Sequence, residues 1–511
     1  LSVRQEQPWL LQGGMGVGIS HWPLARAVSL AGQLGTVSGT GIDGVFVRRL
    51  QDHGADEALR AVLAQFPLPA VVDVVLQQFG TVRRAPSAPY RTIPMSSHRS
   101  VLRSQDLLVL AAYAEVAMAK RGHDGIVGIN LLTKVQIPTL PILFGAILAG
   151  VDYVLMGAGV PTHIPGALDL LAKGEPAELP LVVTGSPAPG HEPSLRFDPA
   201  RFGPPHPLRR PRFIGIVSSH VLASALLHRS NGAVDGFVVE RPIAGGHNAP
   251  PRGPLSLDGE GNPIYGERDR VDFAAMQSLG VPFWVAGGVT SSDAVQEAFD
   301  LGAAGAQVGT LFAYCRESGM DQAVREQVIA AVRSEDVRVA TSMIASSTGY
   351  PFKVVSLAGT VSEPAIYASR KRTCDLGALR EAYAKADGTI GYRCAAEPIE
   401  AYLKKGGKLE DAVGRVCLCN GLLATCGLGQ VRAHGHREPP IVTSGDCINE
   451  IRSLLVGRDS YGALDVIAHL QVGGPKSAPS TERVPSTEPV PSTEPVPSTE
   501  PVPLTPAVPH S

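Results

Sequence analysis

From Trp9 to about Phe312 the chain alternates short runs of apolar and β-branched residues with longer stretches of helical periodicity. The short runs are Leu10–Gly13, Gly35–Ser38, Ile126–Leu131, Asp152–Met156, Phe213–Val217, Asp235–Val239, Phe283–Ala286 and Ala306–Val308. Apolar runs of this length predict strands buried on both faces, as parallel sheets require. Eight of them, mostly followed by a helix-like segment, predict an α/β protein built as a (β/α)8 barrel, because a doubly wound sheet usually has fewer. Two helices carry their own punctuation. Ser219 stands at the N-cap of HVLASALLHR, and Ser291 does the same for a segment that stops at Gly302. The apolar stretch Leu140–Ala158 approaches membrane-spanning length, but Asp152 and its glycines predict a buried helix, a stop at Gly150 and then a buried strand.

Three stretches break the alternation. Gly80–Arg99 and Gly185–Arg212 are rich in Pro, Arg and Ser, the composition of loop insertions on a barrel rim, and Leu181–Thr184 predicts an extra strand beside the second. After Ser318 helical patterns such as Gln322–Arg333 and Leu376–Lys385 predict a mainly helical domain covering the barrel mouth. The last stretch repeats PSTEPV, which has too little apolar mass to fold and favours extended polyproline II. The expected organisation is a barrel over 1–318, a helical domain over 319–471 and a disordered tail over 472–511.

Composition narrows the function classes. Among 511 residues, 44% are hydrophobic and 18% charged, and the formal net charge of -2 supplies no basic field for nucleic acid. Seven cysteines, an odd number, and the lack of a basic-then-apolar leader point to a reducing cytoplasm, without a membrane span. Leu1 is not an initiating residue, so a short upstream piece is expected.

Candidate chemistry gathers at the strand ends. In Trp284–Phe312 one strand delivers Ala286, Gly287 and Gly288, and the next delivers Gln307, Gly309 and Thr310. At the seventh and eighth strand ends of a barrel, side-chain-free glycines let backbone N–H groups reach a phosphate, with the Thr310 hydroxyl beside them. The bland alternative is tight βα turns. The sixth strand runs into Gly245, Gly246 and His247, where an imidazole faces a pocket and moves protons or stabilises an anion. The glycines of LQGGMGVG lack dinucleotide-fingerprint spacing, so Gly13, Gly14 and Met15 are read as a place for a flat ring against the first strand. Asn130 offers a donor–acceptor amide, and Lys134 a counter-charge.

Weaker signals lie outside these ends. Six cysteines fall between Cys374 and Cys447, with no zinc-ribbon or ferredoxin spacing, so small buried hydrophobes compete with a metal site. Thr443–Asp446 is placed over the pocket as part of a lid. Arg209, Arg210 and Arg212 are either a solvated face or a grip for the phosphate of NADPH or an acyl carrier.

Together these motifs resemble the 2-nitropropane dioxygenase, or nitronate monooxygenase, family of FMN-dependent TIM barrels. The resemblance covers about residues 9–315, with QGGMG, GIN, GAGVP, AGGH, AGG and QVGT in family order; AGGH and the paired phosphate loops are its specific part. It implies non-covalent FMN, with the phosphate held by Gly287, Gly288, Gly309 and Thr310. The ring lies near Gly13, Gly14, Met15, Asn130 and Gln307, and His247 is the catalytic histidine. Lys134, Gly245, Gly246 and Ala286 complete the expected cofactor-binding set, and no metal is assigned. The implied activity is oxidation of alkyl nitronates or related carbanions with molecular oxygen. The alternative is an NAD(P)H- and FMN-dependent enoyl reductase acting in trans in fatty-acid or polyketide synthesis. Pro242, Ile243 and Ala244, and the NAPPRG that follows His247, depart from the family on the substrate side. The oligomeric state is not given by these residues.

Overall fold

A computed structural model describes residues 7–99, 102–185, 193–203 and 207–472. The predicted tail lies outside the described residues from 473 onward, as does part of the second insertion. Each of the eight apolar runs is a strand: β1 (Leu10–Gln12), β2 (Gly35–Ser38), β3 (Val127–Leu132), β4 (Tyr153–Gly157), β5 (Arg212–Val217), β6 (Gly236–Glu240), β7 (Phe283–Ala286) and β8 (Gly305–Val308). All neighbours are parallel, in the order β1-β8-β7-β6-β5-β4-β3-β2. The ring closes where Leu11 bridges Leu34, with Gln12 N donating to Leu34 O at 2.9 Å and Leu34 N to Leu10 O at 3.2 Å. The fold is therefore an eight-stranded TIM barrel with helices outside.

Strand alternation fills both faces. Leu11, Leu34, Tyr153, Leu155, Ile214, Val238, Trp284 and Ala286 form the barrel interior, while Leu10, Val37, Ile129, Val154, Phe213, Phe237 and Val285 pack outward in the main core. With both faces buried there is no polar alternation to see in the sequence, which is why the strands read as plain apolar runs. Trp284 satisfies its buried indole by donating to Pro8 O at 2.8 Å.

The predicted caps form. Ser219 Oγ accepts from Leu222 N and Ser291 Oγ from Ala294 N, each at 3.2 Å, a contact of about 1 kcal/mol. The apolar stretch is helix Thr139–Leu148, a turn at Gly150 (φ 73°) and β4. Among the described residues no helix is long and apolar enough to cross a membrane.

The insertion over 80–99 holds no regular element and is pinned to the barrel by ion pairing of Arg84 with Asp52 at 2.8 Å. The expected extra strand is present as Val183–Thr184. Its partner corrects the reading of Leu376–Lys385: that segment is not helical but a loop followed by strand Glu381–Ala384, parallel to Val183–Thr184 and antiparallel to Ile390–Arg393. Gly377, at φ 66°, interrupts any helix there, and edge pairing with a segment some two hundred positions away outweighs local propensity. Helix Gln322–Arg333 forms as predicted, capped by the Asp321 carboxylate. The region after Ser318 also carries the hairpin Arg338–Ser342 with Phe352–Ser356, and the described residues up to Val472 make one compact unit.

Candidate functional site

The carboxyl ends of the strands open into a cavity of about 310 Å³, within the range of small-molecule sites. Every residue of the expected catalytic and cofactor-binding set lines it: Gly13, Gly14 and Met15 after β1, Asn130 and Lys134 on and after β3, and Gly245, Gly246 and His247 after β6. Ala286, Gly287 and Gly288 at β7 and Gln307, Gly309 and Thr310 at β8 complete the set.

The glycine turn after β1 is held by two residues that sequence reading passed over. Ser20 Oγ accepts from Met15 N and donates to Gly13 O, both at 2.8 Å, and Gln12 Nε2 donates to Ser20 Oγ at 2.7 Å. Gly13 N bonds Val308 O at 2.8 Å, tying the turn to β8. Gly14 has no room for a side chain: a Cβ there would stand 2.1 Å from Asn130 Cβ. Asn130 Nδ2 donates to Gly14 O at 3.2 Å, so its amide fixes the turn.

The two expected phosphate loops are neighbours, because Ala286 and Gln307 are register partners. Gly287 and Gly288 take φ of 89° and 78°, a conformation that costs a side-chain-bearing residue about 1–2 kcal/mol. Thr310 Oγ1 accepts from Gly445 N at 3.1 Å and keeps its own O–H to donate. Thr443, Ser444 and Gly445, three of the four residues read as part of a lid, line the cavity wall beside these loops. Thr443 Oγ1 accepts from Gly246 N at 3.0 Å, and Asp446 N donates to Ile243 O at 3.1 Å. The AGGH loop is thus clamped from behind.

His247 is built by the carboxyl region. It bridges Phe352, whose ring meets the imidazole edge-on at 4.9 Å, and its Nε2 lies 2.7 Å from Ser346 Oγ. Ser346 is fully buried and shares a hydrogen bond with Thr348 Oγ1 at 2.8 Å. Burial drives the imidazole pKa down to about 4, which keeps it neutral at pH 7. Nothing near Ser346 or Phe352 in sequence announces this role.

Two further polar side chains line the cavity, Gln307 and the half-buried Glu240. Gln307 Oε1 is buried and has no hydrogen-bond partner among the described residues. Glu240, the last residue of β6, also lines the cavity, and burial pushes its carboxyl up to about 8 against the opposing pull of Lys353. Its only sequence signal is an acid ending an apolar strand. Buried polar atoms are rarely left unpaired, so an orphan amide oxygen beside the positive-φ glycine pair after β7, Gly309 after β8 and the Thr310 hydroxyl fits a ligand carrying both a phosphate and a planar ring with N–H groups. FMN is such a ligand.

The weaker candidates separate. Lys134 is exposed at the cavity edge, 5.3 Å over the Tyr350 ring. The basic run is engaged elsewhere: Arg209 pairs with Asp152, Arg210 with Asp169 and Asp235 at 2.7 and 2.6 Å, and Arg212 bonds Tyr153 Oη at 2.9 Å. Cys374, Cys394, Cys417 and Cys419 line a separate space of about 10 Å³. All seven cysteines are free thiols, and among the described residues no group of three or more His, Cys, Asp or Glu is arranged to hold a metal ion.

Comparison with known proteins follows the motifs. Residues 202–388, which contain His247 and both glycine loops, match the family model of nitronate monooxygenase. A nitronate monooxygenase of Paraburkholderia phytofirmans is 30% identical over 166 residues, covering 31% of this chain and 42% of that protein. This chain therefore spans less than half the length of that relative. Among solved structures, FabK from Thermotoga maritima is similar at a TM-score of 0.43 and 17% identity, over 91% of each chain. Nitroalkane oxidase from Streptomyces ansochromogenes is similar at a TM-score of 0.45 and 13% identity, over 91% of this chain and 94% of that one. The resemblance to the nitronate monooxygenase family read from the motifs is the one that the family model and the curated relative report.

Proposed function

We propose that a chain with this family match is an FMN-dependent oxidoreductase of the nitronate monooxygenase type, oxidising an alkyl nitronate or related carbanion with molecular oxygen. One observation carries the reading: two adjacent backbone cradles, after β7 and β8, open into the same cavity as His247. When bound, FMN supplies the electron-accepting ring and the onward reaction with oxygen. The protein supplies position and electrostatics. Backbone N–H groups of Gly287, Gly288 and Gly309 and the Thr310 hydroxyl hold the phosphate, while the bare backbone of Gly13 and Gly14 lets the ring lie close. Gln307 Oε1 is the acceptor for a ring N–H.

His247 works on the substrate side. Ser346 engages Nε2, leaving Nδ1 as the nitrogen that meets the substrate. An imidazole with a pKa near 4 is a weak base but a good neutral hydrogen-bond donor. That favours a substrate arriving already ionised, as a nitronate, over one whose α-proton must be removed by the enzyme. Cytoplasmic residence belongs to the same reading, in keeping with seven free thiols.

One observation favours a second reading, an NAD(P)H-dependent enoyl reductase acting on acyl chains. The cavity extends along an apolar wall of Ile93, Ile137, Leu181, Leu379, Leu418 and Leu422, more than a small nitronate needs. Anaerobic mixing separates the two. The holoenzyme is mixed with propionate 3-nitronate, with nitroethane and with NADPH in turn while flavin absorbance is followed. Bleaching by the nitronate and not by NADPH is expected, and rapid bleaching by NADPH alone would overturn the first reading. A colourless protein that takes up no added FMN would end both.

A further inference from the structure

The small space lined by cysteines lies against the cavity that holds His247. Its four thiols come from three segments: Cys374 on the loop that precedes strand Glu381–Ala384, Cys394 directly after strand Ile390–Arg393, and Cys417 and Cys419 at the start of helix Leu418–Thr425. Leu376, Gly377, Leu379, Arg380, Leu418 and Cys419 line both spaces and form the wall between them. A single buried thiol is an inert filler of a core, but four that meet beside a cavity are within reach of whatever small molecule enters it.

Cys417 is the sulfur that the other three share as a neighbour, each of them feeling its charge. Cys394 and Cys417 are buried in one small apolar cluster with Ala396, and Cys419 packs against it. Asn420 Nδ2 donates to Cys417 Sγ at 3.5 Å, which holds that sulfur in place. Burial pushes the Cys374 thiol up to about 12 and that of Cys394 above the usual range, and the neighbouring sulfurs add to both shifts. Thiols crowded in this way cannot ionise together, and among the described residues no three metal-ligating groups are arranged to hold an ion that would neutralise them. A disulfide removes two ionisable groups at once and leaves no charge in the cluster.

We propose that this cluster is a site of reversible oxidation by peroxide, in which Cys394 and Cys417 close a disulfide on the wall of the cavity. These two are buried together and come from different segments, whereas Cys417 and Cys419 stand two positions apart at a helix start, a spacing at which helical side chains diverge. One sulfur attacks the peroxide O–O bond and becomes a sulfenic acid, releasing one water; the second thiol displaces the sulfenic oxygen as another water. Two thiols thus lose two electrons and two protons, and one hydrogen peroxide takes them up. The bond ties the end of the hairpin to the helix whose Leu418, Leu422 and Thr425 line the cavity. In a reducing compartment such a bond is transient, formed under oxidant and undone afterwards. Neither the site nor its oxidant depends on the flavin reading.

The test uses the full chain, reduced with a phosphine, freed of reductant under nitrogen and treated with about two equivalents of hydrogen peroxide. Remaining thiols are counted in denaturant, and alkylated digests are mapped by mass spectrometry. The expected result is a loss of two from the seven free thiols, one cross-linked peptide joining Cys394 to Cys417, and recovery of all seven with dithiothreitol. Cys417→Ser should keep its remaining thiols at the same dose; the cross-link map of the wild type decides the matter if that variant does not fold. An unchanged count, a loss that dithiothreitol does not reverse, or a cross-link that leaves out Cys394 or Cys417 would overturn the proposal. So would stoichiometric zinc in the purified protein, which would show thiolates held by a metal instead.

Discussion

Ser346 Oγ lies 2.7 Å from His247 Nε2, joining the loop after β6 to a buried serine 99 positions away. The contact occupies Nε2, so on the proposed reading Nδ1 is left for substrate and the carboxyl region helps to orient the imidazole. His247→Ala is expected to keep FMN bound while turnover of a nitronate falls by about a hundredfold. Ser346→Ala, which frees the ring without removing it, should cost about tenfold. Steady-state rates with flavin content measured on the same samples check both, and an undiminished rate in His247→Ala would remove the histidine from the mechanism.

His247 also makes a signed prediction for stability. Its folded pKa is lowered from 6.5 to about 4, so between those values the unfolded chain binds a proton that the folded one refuses. The contribution is fully present above pH 6.5 and lost as pH falls toward 4. In urea melts of the flavin-free protein, His247→Gln should show a shallower decline over that window than the wild type. Parallel curves would contradict the assigned burial.

Glu240 has the opposite sign. Its folded pKa is raised from 4.5 to about 8, so the folded state holds the proton longer and stability is lost as pH rises through that interval. Without flavin, Glu240→Gln should gain on the wild type steadily from pH 5 to pH 8. Melting temperatures that differ by the same amount at both ends would count against it.

Gly14 gives a steric test. A Cβ at 2.1 Å from Asn130 Cβ cannot be accommodated without moving the turn or β3, so Gly14→Ala should destabilise by about 1–3 kcal/mol and lower FMN uptake. Chemical denaturation read beside flavin content measures it, and Gly14→Ala with wild-type values for both would show that the turn is looser than its packing.

Gly287, at φ 89°, tests the cradle itself. Gly287→Ala should cost about 1–2 kcal/mol in backbone strain, and phosphate grip should be lost with it. Because riboflavin lacks the phosphate, the variant should lose affinity for FMN and change little toward riboflavin. Equal losses for both would move the phosphate site away from β7.

Much of the barrel was legible in the sequence because each strand is short and apolar, several run straight into a glycine, as β1, β2, β7 and β8 do, and each cap needs one serine within three residues of its target. The glycine loops were legible for the same reason: a close approach to backbone demands that residue type in place. Leu376–Lys385 was misread as helix because its strand exists only through pairing with Val183–Thr184, a contact that no local window contains. Glu240 was missed because an acid at a strand end looks like solvent-facing polarity until its neighbours are known.

By itself, then, the order of residues determined the eight strands, their caps and the glycine and histidine positions at their ends, since those depend on backbone conformation and period-two burial over a few neighbours. Tertiary structure alone decided that Ser346 and Phe352 orient His247, that Thr443 and Gly445 clamp the loops at β6 and β8, and that Gln307 Oε1 is left buried without a partner in the cavity that Glu240 also lines. Those are relations between segments far apart in the chain. Hydrogen bonding and desolvation at one point in space depend on every segment that meets there, and no single segment carries that information.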